Sequence, residues 1–223
     1  MIGDVAHLWV KICGVRDVAT AVSVAELGAD AIGINFYAGS PRQVADVATA
    51  AAIVETLPSG VEAVGVFVNH TVEQIRQTCA AAGFTTVQLH GDEPDRLIDE
   101  LSELQVIRAI RIGEDVAAQT TTLLAGYTKL IRPPSAWLVD ARVSGAYGGT
   151  GQTVDWTQLA PKHRHGWPRL ILAGGLTPDN VAEAIAIAQP EGVDVASGVE
   201  STVGVKDLHL VERFINACRR AER

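Results

Sequence analysis

The sequence has few cysteines, and those it has are badly placed for cross-linking or metal binding. Cys13, Cys79 and Cys218 are odd in number, lie far apart and form no Cys-x-x-Cys spacing with nearby histidines. This pattern argues against a disulfide framework and against a zinc site. We therefore expect no structural metal, and a reducing compartment such as the cytoplasm.

Positive charge is also scarce. Eighteen Lys and Arg stand against 26 Asp and Glu, which gives a formal net charge of -8 and a pI near 5.2. Nucleic acids and anionic membranes attract clustered Lys and Arg, so neither is an expected partner. An anionic small-molecule substrate would need locally placed positive groups.

No apolar run approaches the 18 residues of a membrane-spanning helix, and the start, MIGDVAHLWV, lacks the basic and apolar regions of a signal peptide. These absences reinforce the expectation of a cytoplasmic protein. With 223 residues, 48% of them hydrophobic, the chain can bury one core, and we expect residues 1–223 to form a single domain.

Short apolar runs bounded by turn residues predict eight strands. They are Trp9 to Cys13, Ala31 to Phe36, Ala63 to Val68, Thr86 to His90, Val106 to Ile110, Trp137 to Asp140, Arg169 to Ala173 and Val193 to Ala196. Segments of helical period lie between them: Asp17 to Leu27, Val44 to Leu57, Thr71 to Ala82, Pro94 to Leu104, Asp115 to Ala125, Pro178 to Ala188 and, last, Asp207 to Arg220.

Strict alternation of apolar strands with helices predicts a parallel sheet covered by helices. A doubly wound open sheet is the competing architecture. Eight units in 223 residues, without a G-x-G-x-x-G fingerprint after the first strand, favour a closed (β/α)8 TIM barrel with eight parallel strands.

In such a barrel, catalytic groups lie at the carboxyl ends of the strands. The polar and glycine-rich positions there are Lys11, Cys13, Ser40-Pro41-Arg42, Gln88, His90, Asp140, Gly148-Gly149-Thr150-Gly151, Gly174-Gly175 and Asp194 to Glu200. Together they predict a lined pocket.

Gly174 and Gly175 follow the seventh strand, and Ser197 and Gly198 follow the eighth. Barrel enzymes often form a phosphate site at these two places from loop amides and a short helix. The alternative is that these glycines only make tight turns.

Two side chains are candidates for proton transfer. Cys13 ends the first strand, with Lys11 on the same face, and it could act as a thiolate base if positive potential lowers its pKa; the alternative is a buried structural thiol. Asp140 ends the sixth strand, where an unpaired carboxylate is costly to bury. Its alternative is a surface or capping aspartate.

A set of short motifs in one order resembles the phosphoribosylanthranilate isomerase family of tryptophan biosynthesis over almost the whole chain. The motifs are Lys11-Ile12-Cys13-Gly14, Ser40-Pro41-Arg42, Val64 to Asn69, Gln88 to Gly91, Gly148 to Gly151, Leu172 to Leu176 and Val193 to Val195 with Ser197 to Glu200. Val15-Arg16 stands where the family usually has Ile or Leu followed by Thr, and Val154 stands where Phe is common; neither departure touches Cys13 or Asp140.

The resemblance implies an aldose–ketose isomerase, in the class of intramolecular oxidoreductases, that needs no metal or organic cofactor. Its reaction is the Amadori rearrangement of N-(5'-phosphoribosyl)anthranilate to 1-(2-carboxyphenylamino)-1-deoxyribulose 5-phosphate. Asp140 would be the general acid, with a raised pKa, and Cys13 the general base, with a pKa lowered in part by Lys11.

The resemblance also implies substrate-binding roles. Arg42 would hold the anthranilate carboxylate and Asp194 a sugar hydroxyl, while Gln88 and His90 would line the pocket and Gly148 to Gly151 would form a lid. The alternatives are a solvated loop arginine at Arg42, a core histidine at His90 and a loop-tethering lysine at Lys11.

Two other functions stay open at this stage. A dual-substrate isomerase that also serves histidine biosynthesis would use the same chemistry, but such enzymes have an aspartate at the position of Cys13. A non-catalytic sugar-phosphate-binding barrel would have no need of Cys13 and Asp140 together. The oligomeric state, monomer or homodimer, is not predicted, and the loop of residues 161–168 is assigned no function.

Overall fold

The computed structural model describes residues 7–111, 116–140 and 155–222. Eight parallel strands close into a barrel in the order of the chain. They are β1 (Trp9–Cys13), β2 (Ala31–Asn35), β3 (Glu62–Phe67), β4 (Thr86–Leu89), β5 (Gln105–Arg111), β6 (Ala136–Asp140), β7 (Arg169–Ala173) and β8 (Gly192–Val195). The predicted TIM barrel is confirmed, and each predicted strand end lies within one residue of the observed one.

The strands are apolar throughout because both of their faces are buried. One set of side chains points outward to the helices and forms the larger core. The alternate set fills the barrel interior and packs as a separate cluster: Ala31, Val64, Ile107, Ala109, Ala136, Leu138, Ile171 and Ala173. Side chains on this inward face line the cavity at the carboxyl ends of the strands.

Helices cover the barrel: α1 (Val18–Glu26), α2 (Val47–Thr56), α3 (Val72–Ala82), α4 (Arg96–Glu100), α5 (Val116–Tyr127), α6 (Val181–Ala188) and α7 (Leu208–Ala221). Three of the predicted helices were too long. The α2 helix begins at Val47 rather than Val44, because the Asp46 side chain accepts from the Ala48 and Thr49 amides as the N-cap. The α4 helix is a single short turn rather than the span from Pro94 to Leu104. The α6 helix begins at Val181 rather than Pro178, because Asn180 accepts a hydrogen bond from the Thr177 amide and closes a turn first.

Between β6 and β7 the described residues form two short 3-10 helices, Trp156–Leu159 and Pro161–His163. The predicted lid, Gly148 to Gly151, lies outside the described residues. Of the described helices, none has the length and apolar character needed to cross a bilayer.

A small antiparallel hairpin follows β8 and was missed in the sequence. It is formed by β9 (Glu200–Thr202) and β10 (Val205–Lys206) and lies between the 3-10 turn Ser197–Val199 and α7. Strands of three and two residues are too short to show an alternating pattern. The charged residues at the two ends of the hairpin, Glu200 and Lys206, belong to the candidate active site described below.

Candidate active site

Strand register places the predicted polar residues on the inward face of the barrel. Lys11 pairs with Ala31, Gln88 with Ile107 and Asp140 with Ala173, and each partner belongs to the interior cluster. Asp194 pairs with Lys11 across β1 and β8. Residues paired in a parallel ladder point to the same side, so these side chains share the barrel interior.

Lys11 is fully buried and forms the floor of the site. Its Nζ donates to Asp194 Oδ1 at 2.8 Å and to Gln88 Oε1 at 2.9 Å. Burial is the largest effect and acts to lower the pKa of Lys11, but the charges and hydrogen bonds of Asp194 and Cys13 together outweigh it, and the pKa is raised. A buried ammonium needs such partners. Because both partners are side chains of barrel strands, Lys11 is held inside the barrel and does not tether a loop.

The same bonds determine the proton position on His90. Lys11 can only donate, so Gln88 must accept through Oε1 and donate through Nε2, which lies 2.6 Å from His90 Nδ1. His90 Nδ1 is therefore an acceptor, and the ring proton lies on Nε2. Burial lowers the pKa of His90, although Asp140 and Asp194 act against it, and this favours the neutral ring.

Cys13 ends β1 and is buried, opposite Gly33 in the β2 ladder. A Cβ built at Gly33 would lie 2.7 Å from the thiol sulfur, so only glycine leaves room for it. Burial raises the pKa of the thiol more than the positive charges of Lys11 and Lys206 lower it. The expected lowering of this pKa was wrong for the free protein, because burial is the largest effect and the charge of Asp194 acts in the same direction.

Arg42 is anchored at the rim of the site by Glu200. Its Nε and Nη2 donate to the two oxygens of Glu200, each at 2.7 Å. Arg42 packs over Gly14, where φ is +80° and an added Cβ would lie 2.6 Å from Arg42 Cδ. Because it is paired with Glu200 and partly buried, Arg42 is not a fully solvated loop arginine. The outer edge of its guanidinium, Nη1, has no hydrogen-bond partner among the residues the structure describes.

The sequence indicated Glu200 only as the end of the candidate span Asp194 to Glu200, and it did not indicate Lys206. Both side chains are almost completely buried beside Arg42. Lys206 Nζ donates to Glu200 Oε1 at 2.9 Å and to the Ala196 carbonyl at 3.0 Å. Glu200 lies within a motif identified in the sequence, but its partner Arg42 lies 158 residues earlier and its partner Lys206 six residues later. Only Lys206 had no signal in the sequence.

The glycine-rich loops after β7 and β8 meet as predicted. Gly174 and Gly175 adopt φ values of +86° and +69°, which favour glycine. A Cβ at Gly198 would overlap the Leu176 carbonyl oxygen, so the turn Ser197–Val199 lies directly against the other loop. These two loops bring together the four residues predicted to bind phosphate.

Asp140 is the last residue of β6, in register between Arg111 and Ala173, and is partly exposed. It lies near enough to His90 to act on the charge of that ring. Cys13 and Asp140 therefore both end barrel strands on the inward face, separated around the barrel by β7 and β8. The described residues hold no group of three or more His, Cys, Asp or Glu side chains suited to a metal ion.

Comparison with known proteins points to one family. A family model described as N-(5'-phosphoribosyl)anthranilate (PRA) isomerase matches residues 10–217. An N-(5'-phosphoribosyl)anthranilate isomerase of Myxococcus xanthus is 44% identical over 212 residues, which cover 94% of this chain and 95% of the relative.

Solved structures agree. The crystal structure of phosphoribosyl anthranilate isomerase from Thermotoga maritima superposes with a TM-score of 0.85 and 36% identity, covering 96% of this chain and all of that one. A phosphoribosyl anthranilate isomerase in complex with reduced 1-(o-carboxyphenylamino)-1-deoxyribulose 5-phosphate has a TM-score of 0.82 and 33% identity over the same shares.

Proposed function

This chain belongs to the N-(5'-phosphoribosyl)anthranilate isomerase family, and on that premise we propose that Asp140 and Cys13 are its general acid and general base. The enzyme is an aldose–ketose isomerase of tryptophan biosynthesis. It converts N-(5'-phosphoribosyl)anthranilate to 1-(2-carboxyphenylamino)-1-deoxyribulose 5-phosphate. The observation that carries the proposal is that both side chains end strands on the inward face, beside the glycine loops.

Asp140 begins the reaction by donating a proton to the furanose ring oxygen. The bond between C1 and this oxygen breaks, and the nitrogen lone pair forms an iminium with C1. Asp140 is left as a carboxylate at the mouth of the barrel.

Cys13 then removes the proton from C2 as a thiolate. The electrons of the C–H bond form the C1–C2 double bond of an enolamine, which tautomerises to the aminoketose. Burial disfavours the thiolate in the free protein. The positive iminium next to the thiol opposes that effect, in the same direction as Lys11 and Lys206.

The two anionic ends of the substrate have separate anchors. The phosphate binds the amides of the loops that carry Gly174, Gly175, Ser197 and Gly198. The anthranilate carboxylate pairs with the outer edge of Arg42, since Glu200 occupies the inner edge.

The sugar lies between these anchors. Asp194 uses Oδ1 for Lys11, which leaves Oδ2 to accept from a sugar hydroxyl. His90 presents its Nε2 proton to the pocket, and Gln88 holds that ring in place.

We also propose that the enzyme is one domain over residues 1–223 and lies in the cytoplasm. Its three cysteines are free thiols, and a reducing compartment keeps thiols in that state.

Cys13→Ala and Asp140→Asn test the proposal. Each variant should lower kcat by at least about a hundredfold, as expected for loss of a general acid or base. Turnover is followed by the fluorescence of freshly made phosphoribosylanthranilate, without added metal and again with a chelator.

Matched controls are Cys79→Ala, which removes a buried thiol from α3, and Asp179→Asn, which removes a carboxylate from an exposed ion pair. Both should keep kcat near that of the parent enzyme. Near-normal turnover in Cys13→Ala or Asp140→Asn, with an unchanged circular dichroism spectrum, would refute the role given to that residue.

A further inference from the structure

The β9–β10 hairpin joins the two ends of the site through its charged residues. The hairpin begins at Glu200, directly after the turn Ser197–Val199, and ends at Lys206. The segment 197–206 thus carries the phosphate-binding turn at one end and the partner of Arg42 in its middle.

Four donors converge on the carboxylate of Glu200. Oε1 accepts from Arg42 Nε at 2.7 Å and from Lys206 Nζ at 2.9 Å. Oε2 accepts from Arg42 Nη2 at 2.7 Å and from the Gly204 amide at 3.1 Å. The carboxylate is fully bonded, so it has no capacity left to act on a substrate.

Lys206 links this carboxylate to the phosphate side. Its Nζ also donates to the carbonyl of Ala196, the residue just before the phosphate turn. Gly204, at the hairpin tip with φ at +80°, lies so close to Pro41 that a Cβ there would be 3.0 Å from the Pro41 carbonyl oxygen. The hairpin therefore contacts both the loop after β8 and the loop that carries Arg42.

We propose that Glu200 and Lys206 are positioning residues that hold the Arg42 guanidinium at a fixed distance from the phosphate loops, and so select a substrate with a carboxylate and a phosphate at matching separation. The inference rests on the proposed function, in which Arg42 binds the carboxylate. Glu200 pairs with the inner edge of the Arg42 guanidinium, so the outer edge of that guanidinium faces the pocket. Removing Glu200 frees Arg42 to rotate, and the carboxylate loses its preorganised partner.

A double-mutant cycle tests this role, with the parent enzyme, Glu200→Gln, Arg42→Gln and the double variant. Glu200→Gln should lower kcat/KM by at least about tenfold, mainly through KM, as expected when a charge-assisted contact is lost. Because Glu200 acts through Arg42, Glu200→Gln should cause no further loss in the Arg42→Gln background. An equal loss in both backgrounds overturns the inference.

The cycle separates failure of this inference from failure of the proposed function. If Arg42→Gln itself leaves KM unchanged, the binding role of Arg42 falls. If Arg42→Gln raises KM while Glu200→Gln does not, the binding role stands and the positioning role falls.

Two further variants secure the test. Should Glu200→Gln fail to fold, Lys206→Met keeps the Arg42–Glu200 pair but cuts its link to Ala196. It should raise KM only when Arg42 is present, and an equal rise in KM in the Arg42→Gln background contradicts the proposal. Glu191→Gln removes a Glu–Arg pair that Arg164 forms at the opposite end of the barrel, 3.2 Å apart. It should leave KM unchanged, and a rise as large as that of Glu200→Gln would show a global effect and overturn the proposal.

Discussion

Gly33→Ala should displace the thiol of Cys13 without adding or removing a charged group, although it also crowds the Cε of Lys11. The added Cβ would lie 2.7 Å from Cys13 Sγ, 3.0 Å from Lys11 Cε and 3.1 Å from Cys13 Cα. Ordinary contact distances are about 3.5 Å, so the sulfur must retreat by roughly 0.8 Å. A misplacement of that size in a reacting group should lower kcat roughly tenfold to a hundredfold, and overpacking should lower the free energy of unfolding by about 1–3 kcal/mol.

The measurements are steady-state kcat and urea unfolding. Gly192→Ala is the matched control, because it crowds another strand glycine at the opposite end of the barrel, 3.0 Å from the Trp9 carbonyl. This control should lose stability but keep kcat.

The stability effect has its own test in the Cys13→Ala background, where the sulfur is gone. There Gly33→Ala should cost less unfolding free energy than in the parent enzyme. Parent-like kcat in Gly33→Ala, or an equal cost in both backgrounds, would refute the steric argument.

Burial acts to raise the pKa of Glu200, but the hydrogen bonds from Arg42, Lys206 and Gly204 and the charge of Lys206 together hold this pKa at about 2, against an ordinary value of 4.5. The stabilisation that Glu200 contributes is therefore complete above about pH 4.5 and is lost as the pH falls toward 2. The lost stabilisation amounts to roughly 3 kcal/mol of unfolding free energy. Tm measured between pH 5 and 3 should therefore fall less steeply in Glu200→Gln than in the parent enzyme. Parallel Tm curves would count against the lowered pKa of Glu200. Gln88→Glu places a carboxylate oxygen opposite His90 Nδ1, so ¹⁵N NMR near pH 7 should find a proton on Nδ1 that the parent enzyme lacks, and an unprotonated Nδ1 in the variant would contradict the assigned bonding.

Much of the fold could be predicted because each barrel strand is a short, mainly apolar run with a polar or glycine residue at its end or within the next two positions. The bounds of helices were harder to predict where no such change from apolar to polar residues marks an end. Pro94 to Leu104 has helical spacing, yet only Arg96–Glu100 is helical. Prolines and small polar residues favour turns over a first helical turn, as at Thr177 to Asn180, and local patterns do not decide between them.

The identities of the site residues were predictable, but their pairings were not. Position at a strand end pointed to Cys13 and Lys11, since inward face and barrel mouth follow from register. The partner of Lys11 lies 183 residues away, and nothing local indicates that pairing. The depth of burial of Cys13 was equally hidden, so the direction of its pKa shift was mispredicted. Lys206 was missed because its role depends on a hairpin too short to predict.

The contacts of Lys11 tie together parts of the chain that are synthesised far apart. Its ammonium bonds to Gln88, 77 residues onward, and to Asp194, 183 residues onward. Loops this long close late and slowly during folding. A nascent chain that lacks the eighth strand would hold an ammonium with no counter-charge in an apolar tube, so completion of the circle and assembly of a competent catalyst should be one event.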